Sequence, residues 1–152
     1  MSELEALLDR VVEGSGGDEA LDLDLARALN PFVIVSRRNL ARDGNEPHTY
    51  WRYTSKVDDA AALVTKCLPG WWWKVGTCCV SDDACIAPDY NNPAHSERLH
   101  QEFPLDKLPE EFDAGFDVDR RPPGNVARAL LESLLLALIA IEQHPSPAFN
   151  PR

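Results

Sequence analysis

Positive charge is what this chain has least of: 15 Lys and Arg stand against 25 Asp and Glu, for a net charge of −10. That deficit opposes non-specific attachment to nucleic acid or to anionic membrane surfaces, so neither is expected as a partner. Long apolar runs are also missing. The longest, 129–141, is interrupted by Glu132 and falls short of the ~20 residues that span a bilayer. Ser2-Glu3-Leu4-Glu5 is acidic where a secretory leader needs a positive segment, and a cytoplasmic location is the expectation. Cysteines are few, Cys67, Cys78, Cys79 and Cys85, with no C-x-x-C, and in a reducing compartment they are expected to stay thiols. No G-x-S-x-G, P-loop, H-E-x-x-H or G-x-G-x-x-G occurs, which removes the usual signs of an enzyme, and no cofactor is expected.

What is present suits an ordinary folded domain: 152 residues, 44% apolar and 26% charged, enough for one core. Ser2 and Glu5 have the spacing of a capping box, ahead of Leu4, Leu7, Leu8, Val11 and Val12 at helical intervals. Gly14-Ser15-Gly16-Gly17 ends that helix. Asp18 is placed to cap a second, with Leu21, Leu25, Ala26 and Leu29 on one face. Phe32-Val33-Ile34-Val35 reads as a strand, 37–47 as a polar connection, and 48–53 as a second strand paired with the first. Ser55 is expected to cap a helix with Asp58 at its third position, its apolar face formed by Val57, Ala60, Ala61, Val64 and Cys67.

Pro69-Gly70 stops this helix, and 71–80 alternates as a strand in which large apolar groups occur on both faces. At least one of Trp71, Trp72 and Trp73, and by preference two, belongs to the core. Asp82-Asp83 reads as a turn and Cys85-Ile86-Ala87 as a short returning strand. Residues 88–123 read as an irregular, proline-rich insertion with acidic pieces in 106–119. The last helix is expected over 126–143, with Leu130, Leu131, Leu134, Leu135, Leu138 and Ile141 as its core stripe, and 144–152 as a loose tail.

The order of these pieces resembles a known family. The helix Leu21-Asp22-Leu23-Asp24-Leu25-Ala26-Arg27-Ala28-Leu29 is followed by Tyr53-Thr54-Ser55-x-x-Asp58-x-Ala60-x-x-Leu63-Val64, then Pro69-Gly70-Trp71-Trp72-Trp73, then an Ala/Leu-rich C-terminal helix. That set is similar to the phage ABA sandwich domain family of small phage and prophage proteins. The resemblance spans most of the chain outside 88–123. It implies a Tyr-Ser/Thr motif that opens a helix over a small antiparallel sheet, with a final helix covering the sheet, and it brings no active residues. Together the two readings predict an α+β fold, one α/β/α-type sandwich domain over 1–143 with an antiparallel sheet of about four strands. In a phage protein the compartment would be the host cytoplasm.

Four constellations have chemical possibilities. Between residues 37 and 56, five basic side chains face two acidic ones, a local positive excess in an acidic chain, and aromatics are interleaved with them. Arg37, Arg38, Arg42, His48, Tyr50, Trp51, Arg52, Tyr53 and Ser55 are the candidate ligand-binding residues. Guanidinium groups pair with phosphate or carboxylate, aromatic faces stack on bases, and a helix N-terminus favours an anion. Against this stands the plainer reading of core aromatics and arginines paired with carboxylates. Cys79, Cys85, His95 and His100 supply zinc-type ligands at spacings longer than a zinc knuckle uses, and buried thiols in a strand pair explain the cysteines better. Cys85 or Ser55 with His48, His95 or His100 makes a nucleophile–base pair only on paper. The tryptophan run, if exposed, would mark a protein interface or a homo-oligomer contact.

The reading that follows is a non-enzymatic, phage-encoded binding protein acting in counter-defence, either sequestering a nucleotide-like signal or inhibiting a host defence protein. The alternatives are an acidic interaction module mimicking nucleic acid, a Cys/His enzyme, and a virion or assembly accessory protein.

Overall fold

A computed structural model of the chain describes residues 2–29 and 51–144. Helix α1, Glu3–Glu13, begins as its sequence predicts: Ser2 Oγ accepts from Glu5 N–H while the Glu5 carboxylate accepts from Ser2 N–H. Two donors at the helix start are thereby satisfied. These bonds, the backbone one foremost, hold the Glu5 carboxyl below its ordinary range. Leu4, Leu7 and Val11 face inward, and Val12 is left at the surface. Helix α2, Glu19–Leu29, starts with Asp18 Oδ1 accepting from Leu21 N–H at 3.0 Å, and buries Leu21, Leu25, Ala26 and Leu29.

Helix α3, Val57–Cys67, follows the turn at 53–55. Ser55 is not its cap, contrary to the sequence expectation. The capping position falls on Lys56, without a side-chain bond, because Ser55 and Lys56 both donate their N–H to the Arg52 carbonyl and make a turn there. Asp59, not Asp58, does the local work, its carboxylate accepting from Arg52 N–H at 2.8 Å. The described end of the expected second strand, Trp51 to Tyr53, is loop and turn; its remainder, the strand at 32–35 and the tail at 145–152 lie outside the described residues.

Strands β1, Trp71–Thr77, and β2, Asp82–Pro88, form an antiparallel hairpin, and β3, Phe116–Arg121, pairs antiparallel with β2. Among the described residues the sheet has three strands in the order β1-β2-β3. Asp82-Asp83, expected as a turn, opens β2; the turn lies one step earlier, at 78–81. Asp82 tolerates this place, fully buried, because Thr77 Oγ1 and Asn125 N–H both donate to its carboxylate. The segment expected to be irregular carries two short helices, α4, Ser96–Glu102, and α5, Glu111–Ala114, a 3₁₀ turn, Leu105–Lys107, and β3 itself.

Helix α6, Val126–Gln143, has the bounds its leucine pattern predicts and lies on the sheet face that presents Ala84, Ile86, Phe116 and Val118. Leu130, Leu131, Leu134, Leu135, Leu138 and Ile141 are all buried, each worth about 1.5–3 kcal/mol relative to exposure. Helices α1 and α3 pack on α6, giving one apolar cluster and an α+β fold. Of the three tryptophans only Trp71 is core, packed against Phe103, Phe112 and Phe116; Trp72 is half-buried and Trp73 exposed. On the opposite face, Cys85 and Ala87 are buried outside the main cluster, and Gly115 lies directly against the Cys85 sulfur. Gly115 has φ +113°, so both its backbone and its closeness to Cys85 require the absence of a Cβ.

Candidate functional site

The link that builds the site joins positions 32 apart. Thr54 N–H and Thr54 Oγ1 each donate to Asp22 Oδ1 at 2.7 Å, while Thr54 Oγ1 accepts from Asp18 N–H at 2.8 Å. Asp22 and Thr54 are both buried, so this carboxylate is satisfied by tertiary bonds and anchors the 51–56 segment to the first turn of α2. Between them lies a cleft of about 220 Å³ lined by Gly17, Asp18, Glu19, Asp22, Trp51, Arg52 and Ser55.

Each wall is held by its own local bonds. Arg52 is fixed through both backbone groups, its N–H to Asp59 and its carbonyl to the N–H groups of Ser55 and Lys56. Arg52 as a whole is half-buried, and its guanidinium forms no ion pair with another described residue. Trp51 stacks on the buried Tyr53, ring centroids 6.3 Å apart and planes within 8°, so one aromatic face is stiffened from beneath. The Ser55 side chain is exposed at the rim, next to the Gly17 backbone.

Of the nine candidate ligand residues, Trp51, Arg52 and Ser55 meet in this cleft, and Tyr53 lies beneath as core. Arg37, Arg38, Arg42, His48 and Tyr50 lie outside the described residues. Sequence reasoning missed the other wall: Asp18, Glu19 and Asp22 line the cleft together with Arg52, so its lining is mixed in charge. It also placed the helix end at α3, whereas the helix start lining the cleft is that of α2. A clue was available in Asp22, an acidic residue between Leu21 and Leu25 on the apolar face of α2.

The zinc-type set is dispersed. Cys79 is exposed at the tip of the β1–β2 hairpin, not buried in a strand pair, and Cys85 is buried mid-strand. His95 precedes α4, its Nδ1 3.0 Å from Arg98, and His100 stacks on Tyr90. Among the described residues no three His, Cys, Asp or Glu side chains are grouped to hold a metal ion. Burial raises the Cys85 thiol above its ordinary range, with Asp117 adding to the effect, so it is poorly suited to nucleophilic work. No helix among the described residues is long and apolar enough to cross a membrane.

Comparison with protein-family models, with curated proteins and with solved structures finds no match for this chain.

Proposed function

We propose that the protein is a non-enzymatic binding protein that holds a small nucleotide-like molecule in the cleft beside α2. The observation that carries this reading is the convergence of Trp51, Arg52 and Ser55 on one cleft, with Trp51 braced by Tyr53. The indole face stacks on a planar base, the Arg52 guanidinium pairs with one anionic group, and the Ser55 hydroxyl bonds to ribose or phosphate. Asp18 and Glu19 on the facing wall repel a highly charged polyphosphate and accept from amino or hydroxyl groups instead. A cleft of about 220 Å³ is below the ~300–1,000 Å³ of typical ligand pockets, which favours a mononucleotide seated by its base over a larger ligand. In the phage setting that the sequence resemblance implies, such a protein would sequester a nucleotide signal of the host.

Calorimetric titration with a panel of linear and cyclic nucleotides tests the reading. Binding is expected to weaken about tenfold, ~1.4 kcal/mol, in each of Trp51→Ala and Arg52→Ala. Absence of binding across the panel, or affinities the two substitutions leave unchanged, removes it.

One observation favours a second reading, an acidic module that occupies a basic surface of a host defence protein. Asp106, Glu110, Glu111, Asp113, Asp117 and Asp119 are all exposed. That reading requires salt-sensitive binding to a basic protein, weakened when Asp113 and Asp117 are neutralised, with Trp51→Ala having no effect.

A further inference from the structure

The β1–β2 hairpin turns through its two outermost residues, Cys79 and Val80. Cys78 N–H still donates to the Ser81 carbonyl at 2.9 Å, so the ladder continues to the pair before the tip. Cys78 and Cys79 are both exposed and Val80 is 75% exposed, whereas the other two cysteines, Cys67 and Cys85, are buried. Two adjacent exposed thiols thus stand at the tip of the hairpin.

The two are not equivalent. The Cys78 sulfur lies 3.7 Å from the Ser81 hydroxyl oxygen, within hydrogen-bond reach of it. A hydroxyl able to donate to the sulfur, at an exposed turn, favours thiolate over thiol. The Cys78 thiol is accordingly held below its ordinary range, chiefly by the Val80 backbone bond, with the Asp82 charge working the other way. Burial moves Cys85 in the opposite direction.

We propose that the hairpin tip is a dithiol site for exchange with low-molecular-weight disulfides of the glutathione type, with Cys78 as the attacking sulfur and Cys79 as the resolving one. In the first step Cys78, as thiolate, attacks one sulfur of the small disulfide. A Cys78–sulfur bond forms, the small disulfide bond breaks, and the departing thiolate takes a proton from solvent in place of the one Cys78 released. In the second, Cys79 attacks the Cys78 sulfur, and the second small thiol leaves with a proton. The two cysteines give up two electrons and the small disulfide is reduced to two thiols. Adjacent Cα atoms are about 3.8 Å apart, below the ~4.4–6.8 Å of ordinary disulfides. The closed ring is therefore strained and readily reopened by excess thiol, which suits a reversible switch and not a structural crosslink.

The folded protein incubated with oxidised glutathione, quenched in acid and mapped by mass spectrometry tests this directly. The wild-type chain is expected to lose two alkylatable thiols and yield a peptide with Cys78 joined to Cys79, reversed by dithiothreitol, while Cys67 and Cys85 stay reduced. Cys79→Ser is expected to stop at a glutathione adduct on Cys78, and Cys78→Ser to react at least about tenfold more slowly. Ser81→Ala keeps the backbone bonds of the tip and slows the first step several-fold. First attack at Cys79, no reaction at the tip, or a wild-type adduct that Cys79 never resolves would overturn the assignment. All three substituted side chains lie in the hairpin loop, outside the apolar core, and circular dichroism of each variant checks that it folds.

Discussion

Tyr90 illustrates how one side chain's surroundings set its chemistry. Its hydroxyl donates to the Phe103 carbonyl at 2.8 Å, and its ring stacks on His100. Burial, with Asp113 adding a smaller effect, pushes its ionisation up to about 12 from the ordinary 10. The folded state therefore keeps the phenolic proton more tightly than the unfolded chain does. This contribution to stability is complete below pH ~10 and is lost as the pH rises from about 10 towards 12. Absorbance titration is expected to show a late-ionising phase that loses one tyrosine's amplitude in Tyr90→Phe. The same substitution forfeits the bond to Phe103, a loss on the order of 1 kcal/mol in urea unfolding.

Among the elements, the loop Gly14–Gly17 is held in the least local way. Arg128, buried to 1% exposure, donates through Nε to the Gly16 carbonyl and through one terminal nitrogen to the carbonyls of Arg10 and Val11. Arg121, brought opposite Asp82 by a register shift in β3, donates to the Val11 and Gly14 carbonyls and pairs with Glu132 at 3.0 Å. Two cations thus stand at the negative end of α1, on the Arg10 and Val11 carbonyls of its last turn and on the Gly14 and Gly16 carbonyls of the loop. Arg128→Met removes its bonds to the Arg10, Val11 and Gly16 carbonyls, of which Arg10 keeps the Gly14 N–H and Val11 keeps Arg121, and is expected to cost about 1–3 kcal/mol by urea denaturation. Preserved stability in that variant would show that water replaces the guanidinium.

These same elements mark where a sequence can be read. Helices α1, α2 and α6 were legible because caps and apolar periodicity are encoded within a few positions, in Ser2 with Glu5, in Asp18, and in the leucines of α6. Strand β3 was not, because Phe116 and Val118 are its only apolar residues and aspartates surround them. Asp82 reads locally as a turn residue and is held as a buried strand residue by Thr77 and by Asn125, the latter 43 positions away. In the cleft, Trp51 and Arg52 could be named from composition. Their meeting with α2 depends on Thr54 and Asp22, and no local pattern pairs those two.

At the scale of the whole molecule, helices and sheet share one apolar cluster, from Leu4 in α1 to Ile141 in α6. Trp71 reports on the sheet side of that cluster, whereas far-ultraviolet circular dichroism reports mainly on the helices. With a common core the two signals are expected to give coincident urea transitions with a single midpoint. A helical signal lost before the tryptophan signal would mean that α1 and α2 form a separately unfolding unit.

The long reach of Arg121 and Arg128 also has a consequence for biosynthesis. Their carbonyl partners lie 107 to 118 positions earlier in the chain. At about 5–20 residues per second, a nascent chain spends roughly 5–20 s between making α1 and making the helix that covers it. Through that interval the leucines of α1 lack the helix they pack on. The N-terminal helix pair is therefore the stretch that a ribosome-associated chaperone would meet, and α6 is the segment whose arrival would release it.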